Sequence, residues 1–71
     1  MGRAMSELSP LNRAQALASQ LSALLEATTG EAGEGFRVLS DHVQNDFMWA
    51  CADIATQLKK ALEEVDGARH E

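Results

Sequence analysis

Cys51 and His42 are the two residues whose side chains most readily take part in covalent chemistry, because a thiolate activated by an imidazole is a common nucleophile. They lie nine residues apart, which separates them in a helix by roughly 13 Å along the axis. A general base has to lie within hydrogen-bond reach of its nucleophile. The spacing therefore predicts no catalytic pair, and it favours Cys51 as a small hydrophobic residue of the core.

His42 and Asp46 are four residues apart and share one face of a helix, as two metal ligands do. A metal site needs three or four ligands. Cys51 and Asp53 do not complete the set on that face, and His70 lies in a tail that we expect to be loose. The pattern favours a His–Asp pair at the surface. We therefore expect no metal, no cofactor, no catalytic residue and no enzymatic activity.

A first helix is predicted over about residues 10–28. Ser9-Pro10 is typical of a helix start, because the hydroxyl caps free N–H groups and proline is tolerated at the first position. Polar residues occupy one side, and apolar residues recur on the other side at the three- and four-residue spacings of an amphipathic helix. The apolar side consists of Leu11, Ala14, Leu17, Ala18, Leu21, Leu24, Leu25 and Thr28. Residues 1–8 show no such period, and we expect them to be flexible.

Three glycines fall within six residues after this helix: Gly30, Gly33 and Gly35. Gly30 is placed to adopt the left-handed conformation that commonly follows a helix. Glycine weakens helices because it loses more backbone freedom than other residues when it is ordered. We therefore predict a turn over residues 29–35.

A second, longer helix is predicted over about residues 36–66. Its apolar residues are Phe36, Leu39, Val43, Phe47, Ala50, Ile54, Leu58, Ala61 and Val65. The pattern weakens at Ser40-Asp41, where Ser40 can cap a new helix, so the helix begins either at Phe36 or after Ser40. Asp66-Gly67 is predicted to end it and to leave residues 67–71 flexible.

The chain of 71 residues carries a net charge of −5, with only six Lys and Arg. This charge argues against nucleic acid and anionic membranes as partners. No apolar segment approaches the roughly 20 residues of a membrane span, and no secretory signal is evident, so we expect a cytoplasmic protein. Lys59 and Lys60 precede Glu63 and Glu64 by four residues, which predicts two ion pairs on an exposed face.

Two helices joined by a short connection pack as antiparallel neighbours, so the predicted fold is an all-α, two-helix antiparallel hairpin. Residues 47–52 are apolar on nearly every side, which a hairpin alone cannot bury. We therefore expect a homodimer that forms a four-helix bundle, with Val38 and Trp49 on a second apolar face of the second helix. The alternative for Trp49 is that its ring lies flat over the hairpin with one edge in water. The predicted interface residues are Leu17, Leu21, Leu24, Val38, Phe47, Met48, Trp49, Ile54 and Leu58.

Three short stretches carry a resemblance: Ala16-Leu17-Ala18-Ser19-Gln20-Leu21, Trp49-Ala50 and Lys60-Ala61-Leu62. The sequence resembles short uncharacterised proteobacterial proteins built as one helical hairpin. In those proteins an Ala/Leu-rich first helix precedes a second helix with a Trp-Ala pair and an Ala-Leu end. The resemblance spans about two thirds of the chain and rests on motifs common to Ala-rich hairpins. It implies a fold and no activity, so no functional residue is carried over.

Three classes of function remain open from the sequence. The first is a structural or protein-interaction module that acts as a homodimer. The second is an acidic partner of a hetero-complex, of the inhibitor, antitoxin or secretion-chaperone type, that folds onto one target protein. The third is a bundle with a ligand pocket between its helices, which needs several inward polar side chains. Only Gln57 and Asp46 border the apolar side of the second helix, which disfavours the third class.

Overall fold

The computed structural model describes residues 8–69, and the side chains of residues 8–67. Three helices form this part of the chain: α1 (Pro10–Glu26), α2 (Ala32–Arg37) and α3 (Asp41–Arg69). The described residues include no strand, which confirms the all-α prediction. The count of two helices was incomplete, because a short third helix lies between the two long ones. Flexible ends were predicted over residues 1–8 and 67–71; of these, residues 1–7 and 70–71 lie outside the described residues.

Helix α1 begins where Ser9 and Pro10 predict. The Ser9 hydroxyl accepts a hydrogen bond from the Asn12 N–H at 3.2 Å, and Pro10 is the first helical residue. The helix ends at Glu26, two residues before the predicted end. The Leu25 carbonyl accepts from the Thr28 N–H at 3.0 Å and from the Thr28 hydroxyl at 2.7 Å, so both groups of one residue satisfy this carbonyl at the helix end.

The predicted turn over residues 29–35 is where the structure differs most from the sequence prediction, because α2 begins inside it. Gly30 has φ = +58°, the left-handed conformation that was predicted. Gly33, by contrast, is helical and buried. A Cβ at Gly33 would lie 2.4 Å from the Thr28 carbonyl oxygen, so the chain can pass here only without a side chain.

Contacts with residues outside α2 hold this short helix in place. Phe36 packs edge-to-face on Phe47 of α3, with ring centroids 5.0 Å apart. The Arg37 guanidinium donates to the Gly30 carbonyl at 3.2 Å. The Gln44 amide of α3 donates to the carbonyl of Arg37, the last residue of α2, at 3.3 Å and to the Leu39 carbonyl at 2.8 Å. These contacts offset the low helix propensity of the glycines.

Of the two predicted starts for the second long helix, the structure has the later one. The Ser40 hydroxyl accepts a hydrogen bond from the Val43 N–H at 3.2 Å, and α3 begins at Asp41. Val38 therefore lies between α2 and α3, and the prediction that it shares a helix face with Trp49 was wrong. The helix also continues through Gly67, the predicted stop, to Arg69. Gly67 does not have a positive φ, so it does not form the left-handed cap that ends many helices.

Helices α1 and α3 pack against each other. Arg13 near the start of α1 forms an ion pair with Glu64 near the end of α3. The core between the helices is small: Ala14, Leu17 and Ala61 are buried, with Ile54 and Leu58 packed against them.

The pairing of Arg13 with Glu64 sets which part of α3 lies beside α1. Because both helices rise about 1.5 Å per residue, the last residue of α1, Glu26, is level with Cys51. Residues 41–50 of α3 therefore extend roughly 15 Å beyond the end of α1.

The ion pairs predicted for Lys59 and Lys60 are not formed. Within residues 8–67, the pairs closer than 4.0 Å join Arg13 to Glu64 and His42 to Asp46. Glu64 therefore bonds across to α1 instead of to its own helix.

None of the helices described combines the length and apolar character that crossing a bilayer takes.

Candidate interaction surfaces

Cys51 and His42 lie on opposite sides of α3. Cys51 is buried at 4% exposure, on the side that faces α1. His42 is exposed and lies 3.2 Å from the Asp46 carboxylate, the surface pair that the spacing predicts. Nine residues at 100° each place the two side chains about 180° apart around the helix. The thiol and the imidazole therefore do not meet, and no group of three metal-ligating side chains is found among the described residues.

The nine predicted interface residues divide into two sets in the structure. Six lie inside the packing of the single chain: Leu17 is buried and Leu21, Leu24, Phe47, Ile54 and Leu58 are half-buried. The other three are exposed: Val38, Met48 and Trp49. Trp49 is 64% exposed, so the alternative in which its ring lies flat over the hairpin was wrong.

Many large apolar side chains are exposed on the surface of the single chain. The buried hydrophobic residues among those described are small except for one leucine: Ala14, Leu17, Cys51 and Ala61. The exposed large ones are more numerous: Leu11, Leu25, Val38, Leu39, Val43, Met48, Trp49 and Leu62. Scattered exposed apolar residues are ordinary, whereas a contiguous set indicates a contact surface.

Two rows of exposed apolar residues run along one side of the helix pair, which we call the lateral surface. Residues seven apart fall almost on one line of a helix, because seven steps of 100° return to within about 20° of the start. Helix α1 contributes Leu11, Ala18 and Leu25, and helix α3 contributes Met48, Ala55 and Leu62. All six are exposed. The sequence pattern alone groups the α1 row with the core, and it does not single out Ala55 or Leu62.

The two rows lie on the same side of the contact between α1 and α3. At 100° per residue, Arg13 and Glu64 fall on the opposite side, where their ion pair closes the other edge. An open groove of about 410 Å³ lies within the lateral surface. Its apolar part is formed by Ala18, Leu21, Leu25 and Leu58, and its polar rim by Ser22, Glu26 and Thr29.

A second exposed apolar patch, the outer surface, lies on the side of α3 that points away from α1. Its four residues line a shallow hollow of about 330 Å³: Asn45, Met48, Trp49 and Ala52. Trp49 is about 120° around α3 from Ala55, so the outer and lateral surfaces face different directions. Met48 lies on the border between the two.

The outer surface lies in an acidic part of the chain. Residues 38–58 contain three carboxylates and neither Lys nor Arg. Asp46 and Asp53 are three residues before and four residues after Trp49, which places them one turn to either side of the indole. His42, which is paired with Asp46, and Lys60, which lies about three turns after Trp49 on nearly the same line of the helix, are further titratable groups on this face.

Comparison of the chain with protein-family models, with curated proteins and with solved structures finds no match in any of the three. The resemblance to proteobacterial helical-hairpin proteins is therefore an expectation that these comparisons do not test. Function has to be inferred from the surfaces of the chain itself.

Proposed function

We propose that the protein is a structural and protein-interaction module that acts as a homodimer. Each copy contributes a hairpin of α1 and α3, and the two hairpins pack through their lateral surfaces into a four-helix bundle. The observation that carries the proposal is the pair of exposed apolar rows on one side of the helix pair. Apolar residues repeated every seven positions are the pattern by which helices pack side by side over several turns.

The small core of the single chain gives a reason for self-association. A 71-residue chain buries a limited share of its apolar surface, and folds of this size commonly add a disulfide, a metal or a partner chain. The one cysteine, Cys51, is buried as a free thiol. A second copy would cover three leucines that water now contacts: Leu11, Leu25 and Leu62.

The order of residue sizes along the lateral surface suits contact with an identical surface. When the helices are aligned with Arg13 beside Glu64, Ala18 and Ala55 lie near the middle of the lateral surface. Its leucines and its methionine lie towards the ends. Small side chains in the middle allow helices of two copies to approach closely where they cross, while the larger ones fill the diverging ends. In a two-fold symmetric dimer the lateral surface of one copy contacts the lateral surface of the other, so a single sequence pattern forms both halves of the interface.

A matched pair of substitutions tests this proposal. Ala18→Glu puts a carboxylate in the lateral surface, whereas Ala23→Glu puts the same carboxylate about 140° away on α1. Both alanines are exposed, so the single-chain fold tolerates either change. Sedimentation at micromolar concentration should give twice the 7.7 kDa chain mass for the natural protein and for Ala23→Glu, and the single-chain mass for Ala18→Glu. A natural protein that stays a monomer, or two variants that associate equally, would refute the proposal.

A further inference from the structure

Trp49 is exposed, whereas Phe36 and Phe47 are half-buried, and it lies in the segment of α3 that extends beyond α1. Exposed tryptophan is costly in water and is enriched among the residues that dominate protein–protein contacts. The hollow beside it, formed with Asn45, Met48 and Ala52, is large enough for one apolar side chain of a partner. Packing of the lateral surfaces leaves Trp49 uncovered, because it points about 120° away from Ala55.

The charges around Trp49 restrict which partner fits. A second copy placed symmetrically on this face would bring Asp46 and Asp53 towards the same two residues of its mate, and like charges at close range are repulsive. Nucleic acid and anionic membranes are disfavoured for the same reason, since residues 38–58 have no Lys or Arg to bind phosphate. The carboxylates of Asp46 and Asp53 therefore favour a positively charged partner at the outer surface.

We propose that the outer surface binds a basic amphipathic helix of a different protein, with a Lys or Arg of that helix lying over the Trp49 indole between Asp46 and Asp53. A cation above an indole face is attracted by the ring, and a guanidinium or ammonium there lies between carboxylates one turn to either side, both of which attract it. An apolar side chain one turn along the partner helix fills the hollow at Ala52. This inference goes beyond the homodimer and does not depend on it.

The first experiment uses a synthetic helical peptide of Leu, Lys and Arg, and a control peptide in which Glu replaces every Lys and Arg. Trp49 is the one tryptophan of the chain, so its emission reports directly on this surface. The basic peptide should shift the emission in a saturable manner, and the acidic peptide should leave it unchanged. Equal binding of both peptides, or no binding of the basic one, would overturn the inference.

Matched variants separate a specific site from general attraction to an acidic protein. Asp46→Asn with Asp53→Asn should weaken binding of the labelled basic peptide by roughly tenfold, measured by fluorescence anisotropy. Glu31→Gln with Glu34→Gln removes the same charge from exposed positions outside α3 and should leave binding unchanged. Equal weakening by both double variants would reduce the effect to net charge and overturn the inference.

Trp49→Ala provides the second criterion, because it removes the indole and leaves both carboxylates. Peptide binding to this variant, followed by anisotropy, should fall by about tenfold or more. Unchanged binding would overturn the inference. Repeating the titration with Ala18→Glu keeps the two proposals distinguishable. Peptide binding by a monomeric Ala18→Glu protein supports the outer surface whether or not the natural protein dimerises. A natural protein that dimerises without binding the peptide would overturn the outer surface and leave the homodimer standing.

Discussion

Arg13 in the first turn of α1 forms an ion pair with Glu64 in the last turns of α3. The guanidinium side chain is 20% exposed and the carboxylate side chain is 47% exposed, so the pair lies at the edge of the helix contact and is partly solvated. The main consequence of the ion pair is that it fixes which residues of α1 and α3 lie side by side. With these two residues side by side, the exposed rows of α1 and α3 lie along the same side of the pair, and Trp49 falls beyond the end of α1.

Exchanging the two charges tests this alignment. Arg13→Glu alone places two carboxylates together, and Glu64→Arg alone places two guanidiniums together, so each should lower the free energy of unfolding by up to about 1 kcal/mol. The double exchange restores an ion pair and should recover most of that loss, measured by urea unfolding. The control combines Arg13→Glu with Glu63→Arg, one residue away around the helix, and it should recover nothing. Equal recovery in the control would contradict the alignment.

Two glycines of α2 should respond to alanine in opposite ways. At Gly33 a Cβ would lie 2.4 Å from the Thr28 carbonyl oxygen, so Gly33→Ala has to displace the backbone and should destabilise the fold by about 1–3 kcal/mol. At Gly35 a Cβ meets no atom within 4 Å, so Gly35→Ala should stabilise it by up to about 1 kcal/mol. Thermal unfolding of the two variants compares them directly. Stabilisation by Gly33→Ala would show that α2 does not approach Thr28 so closely.

The start of α3 depends on one hydroxyl. Ser40→Ala removes the acceptor of the Val43 N–H and should cost about 1 kcal/mol of stability. Ser19→Ala is the matched control, because Ser19 is exposed in the middle of α1 where alanine is the better helix former. Helical circular dichroism followed during urea unfolding should show a loss for the first and no loss for the second. A Ser40→Ala protein of unchanged stability would contradict the cap.

Local sequence signals located the ends of the long helices wherever a local interaction forms them. Ser9 caps α1 and Ser40 caps α3 by hydrogen bonds to residues three positions on, so both are visible in the sequence. Gly67 is a residue of the type that commonly ends a helix, but α3 continues through it. A glycine ends a helix only when the chain adopts the left-handed conformation, and that conformation depends on the residues after the glycine and on the packing around it.

Helix α2 and the lateral surface were missed because both depend on contacts between distant residues. The glycines disfavour α2 locally, and it is held by Phe36 on Phe47 and by the Gln44 amide. The α1 row that begins at Leu11, with residues seven positions apart, could be recognised in the sequence only as part of the wide apolar side of this helix. Which edge of that side faces α3 depends on the rotation of α1 about its axis, and the Ala14 and Leu17 contacts with Ala61 decide it.

Salt should act on the two proposed contacts in opposite directions. Each chain carries a net charge of −5, so dimerisation through the apolar lateral surface brings like charges together, and screening should strengthen it. A basic helix at Asp46 and Asp53 is attracted by charge, and screening should weaken it. Raising the ionic strength shortens the screening length from about 30 Å near 0.01 M to about 8 Å near 0.15 M, so charges on two bound molecules interact much less at the higher value.

The measurement combines sedimentation of the protein alone with anisotropy of the labelled basic peptide at the same ionic strengths. The dimer dissociation constant should fall as salt rises, while the peptide dissociation constant should increase. A dimer that weakens with salt would mean that ion pairs, not the leucine rows, hold the two copies together. A peptide affinity that ignores salt would mean that the hollow beside Trp49 binds by apolar contact and that the two aspartates do not contribute.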